Sequence, residues 1–161
     1  MQNYLFGLAI LLIGFILLLL YSRFIKGTKL AYKKQLSLLN PAEKQLFELL
    51  ISLVGRDKYV CPKVRITDII NPGNDKQHSD YWQKWNQIAQ KHVDFLICDS
   101  NTFEPLIAVE LDGITHTYAS RIARDKLVDT AFGEAGMKIV HIPSSKLHDR
   151  SFISSQINLA A

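Results

Sequence analysis

Acidic residues are missing from the first 34 positions, and charge of either sign is missing from Tyr4 to Tyr21. Cysteine occurs only twice, as Cys61 and Cys98. Two cysteines without Cys or His partners at ligand spacing do not build a zinc site. Both lie in apolar, strand-like runs, which predicts buried free thiols in a reducing compartment. The chain has no Gly-rich phosphate loop and no Gly-x-Ser-x-Gly elbow, so neither motif carries its chemistry. There is no internal repeat, and no low-complexity segment beyond one apolar run.

That run, Tyr4 to Tyr21, just meets the length a helix needs to span hydrocarbon. Tyrosines stand at both ends, where aromatic rings favour the headgroup region. A cleaved signal peptide needs a basic start and a small-residue cleavage site. Met1-Gln2-Asn3 has no basic side chain and Ser22-Arg23-Phe24 is a poor cleavage site, so a retained anchor over residues 1–22 is expected. Arg23, Lys26, Lys29, Lys33 and Lys34 follow it. The positive-inside rule then puts the C-terminal domain in the cytoplasm.

These five basic residues explain most of the +4 net charge. Of the 19 lysines and arginines, 14 remain in residues 35–161, against all 15 acids. The alkaline pI thus reports a juxtamembrane segment, residues 23–37, suited to anionic lipid. It does not report a basic nucleic-acid-binding domain; such affinity would need a local patch.

The remaining chain is apolar enough for one domain with a core. Asn40-Pro41-Ala42-Glu43 is a helix start, with Asn as N-cap, Pro at N1 and Glu at N3. Apolar residues at 46, 47, 50, 53 and 54 continue it and Gly55 ends it. Glu43 caps this helix; the alternative is that it reaches an acidic site from there. Tyr59 to Ile70 reads as a strand, with Pro62 marking an edge or bulge. Residues 75–91 suggest a short amphipathic helix whose Tyr81, Trp82 and Trp85 either pack on the core or stack on bases beside Lys84 and Lys91. Ala119 to Ala135 predicts a helix closed by Gly136, and Lys138 to Ile142 a last strand stopped by Pro143. The tail, residues 144–161, is polar with isolated apolar residues.

The chemistry concentrates between His92 and His116. Residues 92–98 and 106–111 are apolar strands, interrupted by Asp94 and Glu110, around turn residues Ser100, Asn101 and Pro105. A loop centred on Thr102 places Asp94 opposite Glu110, because opposed residues in an antiparallel pair keep a constant index sum. Asp112, two beyond Glu110, shares its face. Three carboxylates at one end of an apolar hairpin repel one another unless a cation offsets them. Mg²⁺ suits such a site, since it typically takes one or two carboxylates, waters and substrate phosphates. The plainer alternative is a pair of strands with acids at their solvent-facing ends. Gly113 marks a sharp turn, and His116 adds an acid/base or a ligand if it is not a surface residue.

The element order, with a strand Asp followed about 15 residues later by a strand Glu, resembles the restriction-endonuclease-like superfamily. Its pattern is an Asp, then Asp/Glu-x-Lys on the next strand. More closely, the helix start at Asn40, Lys91 to Asp94, Glu110-Leu111-Asp112-Gly113, His116 and Ala123-Arg124-Asp125-Lys126 resemble a bacterial family of uncharacterised domains related to the very-short-patch-repair endonucleases. The resemblance covers roughly residues 38–143. It implies an α/β fold with a mixed sheet flanked by helices, preceded here by one transmembrane helix. It also implies Mg²⁺ or Mn²⁺ held by Asp94, Glu110, Asp112 and the carbonyl of Leu111. His116 matches a His that follows the turn in those relatives. Asp112 stands where the superfamily usually has Lys, and an aspartate cannot supply positive charge at a phosphate. Lys126, on the next helix, either substitutes for that lysine spatially, as the resemblance allows, or is a solvated helix residue.

The expected function is metal-dependent hydrolysis of nucleic-acid phosphodiester bonds at the inner face of a bacterial membrane. Asp94, Glu110, Asp112, His116 and Lys126 are its candidate residues. The alternative is a catalytically inactive module that keeps the fold and only binds. Membrane attachment, near-neutral domain charge and the missing lysine favour that alternative.

Overall fold

Asn40 accepts a hydrogen bond from the backbone N–H of Glu43 at 2.9 Å, and Glu43 Oε2 accepts from the Asn40 N–H at 3.0 Å. This reciprocal cap starts the first helix of the folded domain, as the sequence predicts. The computed structural model describes residues 2–25, 32–73, 76–113 and 119–158. The chain divides into two units, Met1–Leu36 and Ser37–Ala161. The first holds α1 (Gln2–Ile25), in which Tyr4–Arg23 is long and apolar enough to cross a membrane. Lys26 and Lys29 of the basic segment lie outside the described residues.

The second unit runs α2 (Pro41–Val54), β1 (Lys58–Arg65), α3 (Ser79–Ile88), β2 (His92–Asp99), β3 (Pro105–Asp112), α4 (Ala119–Glu134), β4 (Lys138–Pro143) and α5 (Arg150–Gln156). It is a mixed α/β fold around one four-stranded sheet in the order β1-β2-β3-β4. The first two pairings are antiparallel, and β3–β4 is parallel across the α4 crossover. The first strand is shorter than its apolar run suggests. It ends at Arg65, and Ile66–Asp68 forms a 3₁₀ turn instead of the expected continuation to Ile70. Ile66 and Ile70 are buried there, so their apolarity serves packing on a turn. Pro62 does lie on an edge strand.

The β2–β3 register pairs Phe95 with Val109, Leu96 with Ala108 and Ile97 with Ile107. This is the register of a loop centred on Thr102. The turn is organised by Asp99, whose Oδ1 accepts from the N–H of Asn101 at 2.8 Å and of Thr102 at 2.9 Å. An irregularity between Ile97 and Cys98 absorbs the odd residue at the turn end.

Alternation along the strands feeds two apolar layers. One joins Leu46 and Leu50 of α2 to Phe95, Ile97, Val109 and Ile142. Leu147, Ile153 and Ile157 belong to the same layer, so the segment beyond Pro143 packs into the core. The other layer joins Ile66, Ile88, Leu96, Ala108, Val128 and Phe132. Cys61 and Cys98 are free thiols, and burial together with Cys61 pushes the Cys98 thiol up to about 11. Tyr81 is buried and Trp82 and Trp85 ring it, edge-on and stacked. The packing alternative thus accounts for Tyr81.

Candidate active site

Asp94, Glu110 and Asp112 all occupy strand positions of the parity that faces α4, in step with Leu96 and Ala108. They border a cleft of about 420 Å³ at one end of the sheet, with Glu43, Lys63 and His141 among its other walls. Asp94 is the most heavily bonded of the three. Its Oδ2 accepts from the Leu111 N–H at 2.9 Å and its Oδ1 from Lys63 Nζ at 2.7 Å. Lys63 also donates to Glu43 Oε1 at 2.8 Å. Glu43 therefore caps α2 with one oxygen and holds the lysine with the other.

Lys63 was not expected in this role. It sits between the ladder pairs Pro62–Phe95 and Val64–Val93, directly across from Asp94, with φ +55°. A left-handed backbone is unusual for a residue with a side chain and costs of order 1 kcal/mol or more. Ion pairing to two carboxylates, each only 13% exposed, offsets that strain. Burial alone would lower the lysine pKa, but Asp94 and Glu43 outweigh it and hold Lys63 above the usual range.

Glu110 has the opposite fate. Burial, then the charge of Asp94 and a hydrogen bond to it, push its carboxyl up to about 8, against the opposing pull of His141. Glu110 therefore keeps its proton near neutral pH. Asp94 beside it accepts from an ammonium and a backbone N–H. Asp112 turns to His141 instead, whose Nδ1 lies 3.2 Å from its Oδ1. The other ring nitrogen lies 2.9 Å from Asp129 Oδ1 on α4. Burial pulls His141 down, but the two aspartates overcome it and raise its pKa.

Among the described residues no group of three or more His, Cys, Asp or Glu side chains is arranged to hold a metal ion. Of the expected set, Asp94 and Glu110 lie side by side next to Leu111, while Asp112 is engaged by His141. Two carboxylates, waters and a phosphate together make the kind of oxygen set that Mg²⁺ or Mn²⁺ takes. The raised Glu110 pKa reflects burial first and the neighbouring charge of Asp94 second. Lys126 is exposed and lines a different cleft, between α3 and α4. His116 lies outside the described residues. At the rim, Lys91 and His92 join the acidic cleft. The sequence signal for them was their place just before Asp94.

A family model described as "Protein of unknown function (DUF2726)" matches residues 34–161. The chain belongs to this family. The DUF2726 match spans the whole sheet, all the helices that cover it and every wall of the acidic cleft. It begins after α1. No curated protein and no solved structure matches the chain.

Proposed function

We propose that this DUF2726 protein is a metal-dependent nuclease of the restriction-endonuclease-like superfamily, akin to the very-short-patch-repair endonucleases and held at the inner face of a bacterial membrane by α1. One observation carries the reading: Lys63 reaches Asp94 from β1. It returns to the cleft the positive charge that Asp112 cannot supply. Asp94 and Glu110, with the Leu111 carbonyl, would hold Mg²⁺ or Mn²⁺. Held there, such an ion would supply a more acidic water and offset charge on the scissile phosphate.

The chain's own residues do the rest. Lys63, anchored by Glu43, aims an ammonium at the phosphate and stabilises the charge that develops on it. Asp112, oriented by His141, accepts the proton of the attacking water, with His116 as the other candidate for that duty. Lys91 and His92 at the rim meet the backbone of the strand.

The rival reading is an inactive module that keeps the fold and binds only. It is favoured by the aspartate at position 112 and by its engagement with His141. The deciding experiment is cleavage of DNA and RNA by the full chain in detergent, with Mg²⁺, with Mn²⁺ and with chelator. Metal-dependent cleavage lost in Glu110→Gln and in Lys63→Met supports the nuclease. Retained metal binding with no cleavage of either nucleic acid supports the module.

A further inference from the structure

A second cleft, of about 690 Å³, opens between the 70–73 turn, α3 and α4. It shares no lining residue with the acidic cleft. Its volume lies within the roughly 300–1,000 Å³ common for small-molecule sites. Ile70, Pro72 and Ile88 form one apolar wall, with Leu127 and Ala131 of α4 contributing another. Lys84 comes from α3 and Lys126 from α4, so two ammonium groups border the same space from different helices, against one carboxylate, that of Glu134. Neither forms an ion pair with another described residue. Asn71 and Gln87 add amide groups that both donate and accept. Thr130 donates its hydroxyl to the Lys126 carbonyl at 2.7 Å, which leaves its oxygen free to accept.

This combination narrows the ligand. An acyl chain would use the apolar walls and make no use of the amides or the lysines. A bare phosphate would use the lysines and leave the apolar walls wet. A flat heterocycle carrying hydrogen-bonding edges and an attached anion uses all three. We propose that this cleft binds a nucleoside phosphate, with the base between the apolar walls, its edge met by Asn71 and Gln87, and the phosphate neutralised by Lys84 and Lys126. The ligand is either a free nucleotide or one unit of a polynucleotide. The second source is compatible with the neighbouring cleft, since Gln87 and Ile88 line this one while Gln90, Lys91 and His92 line the acidic one.

The test uses the full chain in detergent, without divalent metal, titrated with AMP, GMP, CMP and UMP, with inorganic phosphate, and with a short single-stranded oligonucleotide. Binding is expected to weaken roughly tenfold in Lys84→Gln/Lys126→Gln, as for loss of charged hydrogen bonds. Its salt dependence should flatten in the same variant. Ala131→Phe should block the cleft and abolish binding; should that variant not fold, the two exposed lysines still decide the matter. Lysine-dependent binding of mononucleotides identifies a free nucleotide, and lysine-dependent binding of the oligonucleotide alone identifies a strand. No binding of either overturns the inference, as does inorganic phosphate binding as tightly as the nucleotides. So does binding that survives in both cleft variants but is lost in Glu110→Gln, which would place the nucleotide in the acidic cleft. Because the readout is metal-free binding, a failure to cleave nucleic acid bears on the nuclease reading and leaves this one standing.

Discussion

Lys63 Nζ stands 2.7 Å from Asp94 Oδ1, and the same ammonium stands 2.8 Å from Glu43 Oε1. One cation thus serves two carboxylates contributed by α2 and β2. A third, Glu110, lies beside Asp94, forms no ion pair among the described residues and keeps its proton to about pH 8. The charge balance of the cleft follows from this arrangement, and removing any one member should upset it in a distinct way.

Lys63→Met removes the cation and leaves Glu43 and Asp94 facing each other with little solvent. Breaking a fully buried pair costs about 3–5 kcal/mol. Lys63 retains 21% of its exposure, so a loss of about 2 kcal/mol is expected from urea unfolding at pH 7. Mg²⁺ should recover part of it. An unchanged unfolding midpoint would mean that Lys63 is merely solvated.

Glu110 has an ordinary carboxyl value of 4.5 when unfolded and about 8 in the fold. The folded state therefore binds the extra proton between those values. The stability linked to it is complete below pH 4.5 and is lost as pH rises through 8. Wild type should lose a few kcal/mol between pH 5 and pH 9, with a slope of at most about 1.4 kcal/mol for each step of one in pH. Glu110→Gln, which mimics the protonated form, should match wild type at pH 5 and exceed it at pH 9. Parallel pH profiles for the two proteins would sink this account.

Metal binding gives an independent check on the same proton. At pH 7 an ion held by Asp94 and Glu110 must displace it. Calorimetric titration with Mn²⁺ in buffers of different ionisation heat should report release of about one proton in wild type and none in Glu110→Gln. A heat of binding independent of the buffer excludes Glu110 as a ligand.

His141 ties Asp112 on β3 to Asp129 on α4. Its pKa is raised in the fold, so its stabilisation is full below the ordinary imidazole value and fades as pH climbs past the folded value. His141→Asn should be clearly less stable than wild type at pH 6, and the gap should narrow by pH 9. A gap of constant size would assign His141 a packing role alone.

The α1 segment yields a simpler expectation. Full-length protein should stay with membranes through a carbonate wash, and its C-terminus should be protected from protease added outside intact cells. Recovery of a shortened soluble form would mean that the segment is a cleaved leader.

Much of this site was legible in the residues. The hairpin register follows from local geometry, since a five-residue connection between two apolar strands leaves little freedom in how they pair. That register alone sets Asp94 beside Glu110. The cap of α2 was equally local, resting on Asn40, Pro41 and Glu43 within one turn. Lys63 was hidden for the opposite reason. Its partner strand begins at His92, beyond a 3₁₀ turn and α3, so no spacing in the chain specifies that β1 lies against β2 in the register that opposes Lys63 to Asp94. Lys126 was open between a role at the acids and a solvated helix position, because the residues do not fix the rotation of α4, which turns Lys126 to another cleft and offers Asp129 to His141. Sequence by itself therefore determined α2 to α4, the positions of the strands apart from the end of β1, and the two opposed carboxylates, all of which depend on neighbours a few residues apart. Only the tertiary structure decided which cation neutralises them, because that choice belongs to strands and helices brought together by burial of their apolar faces.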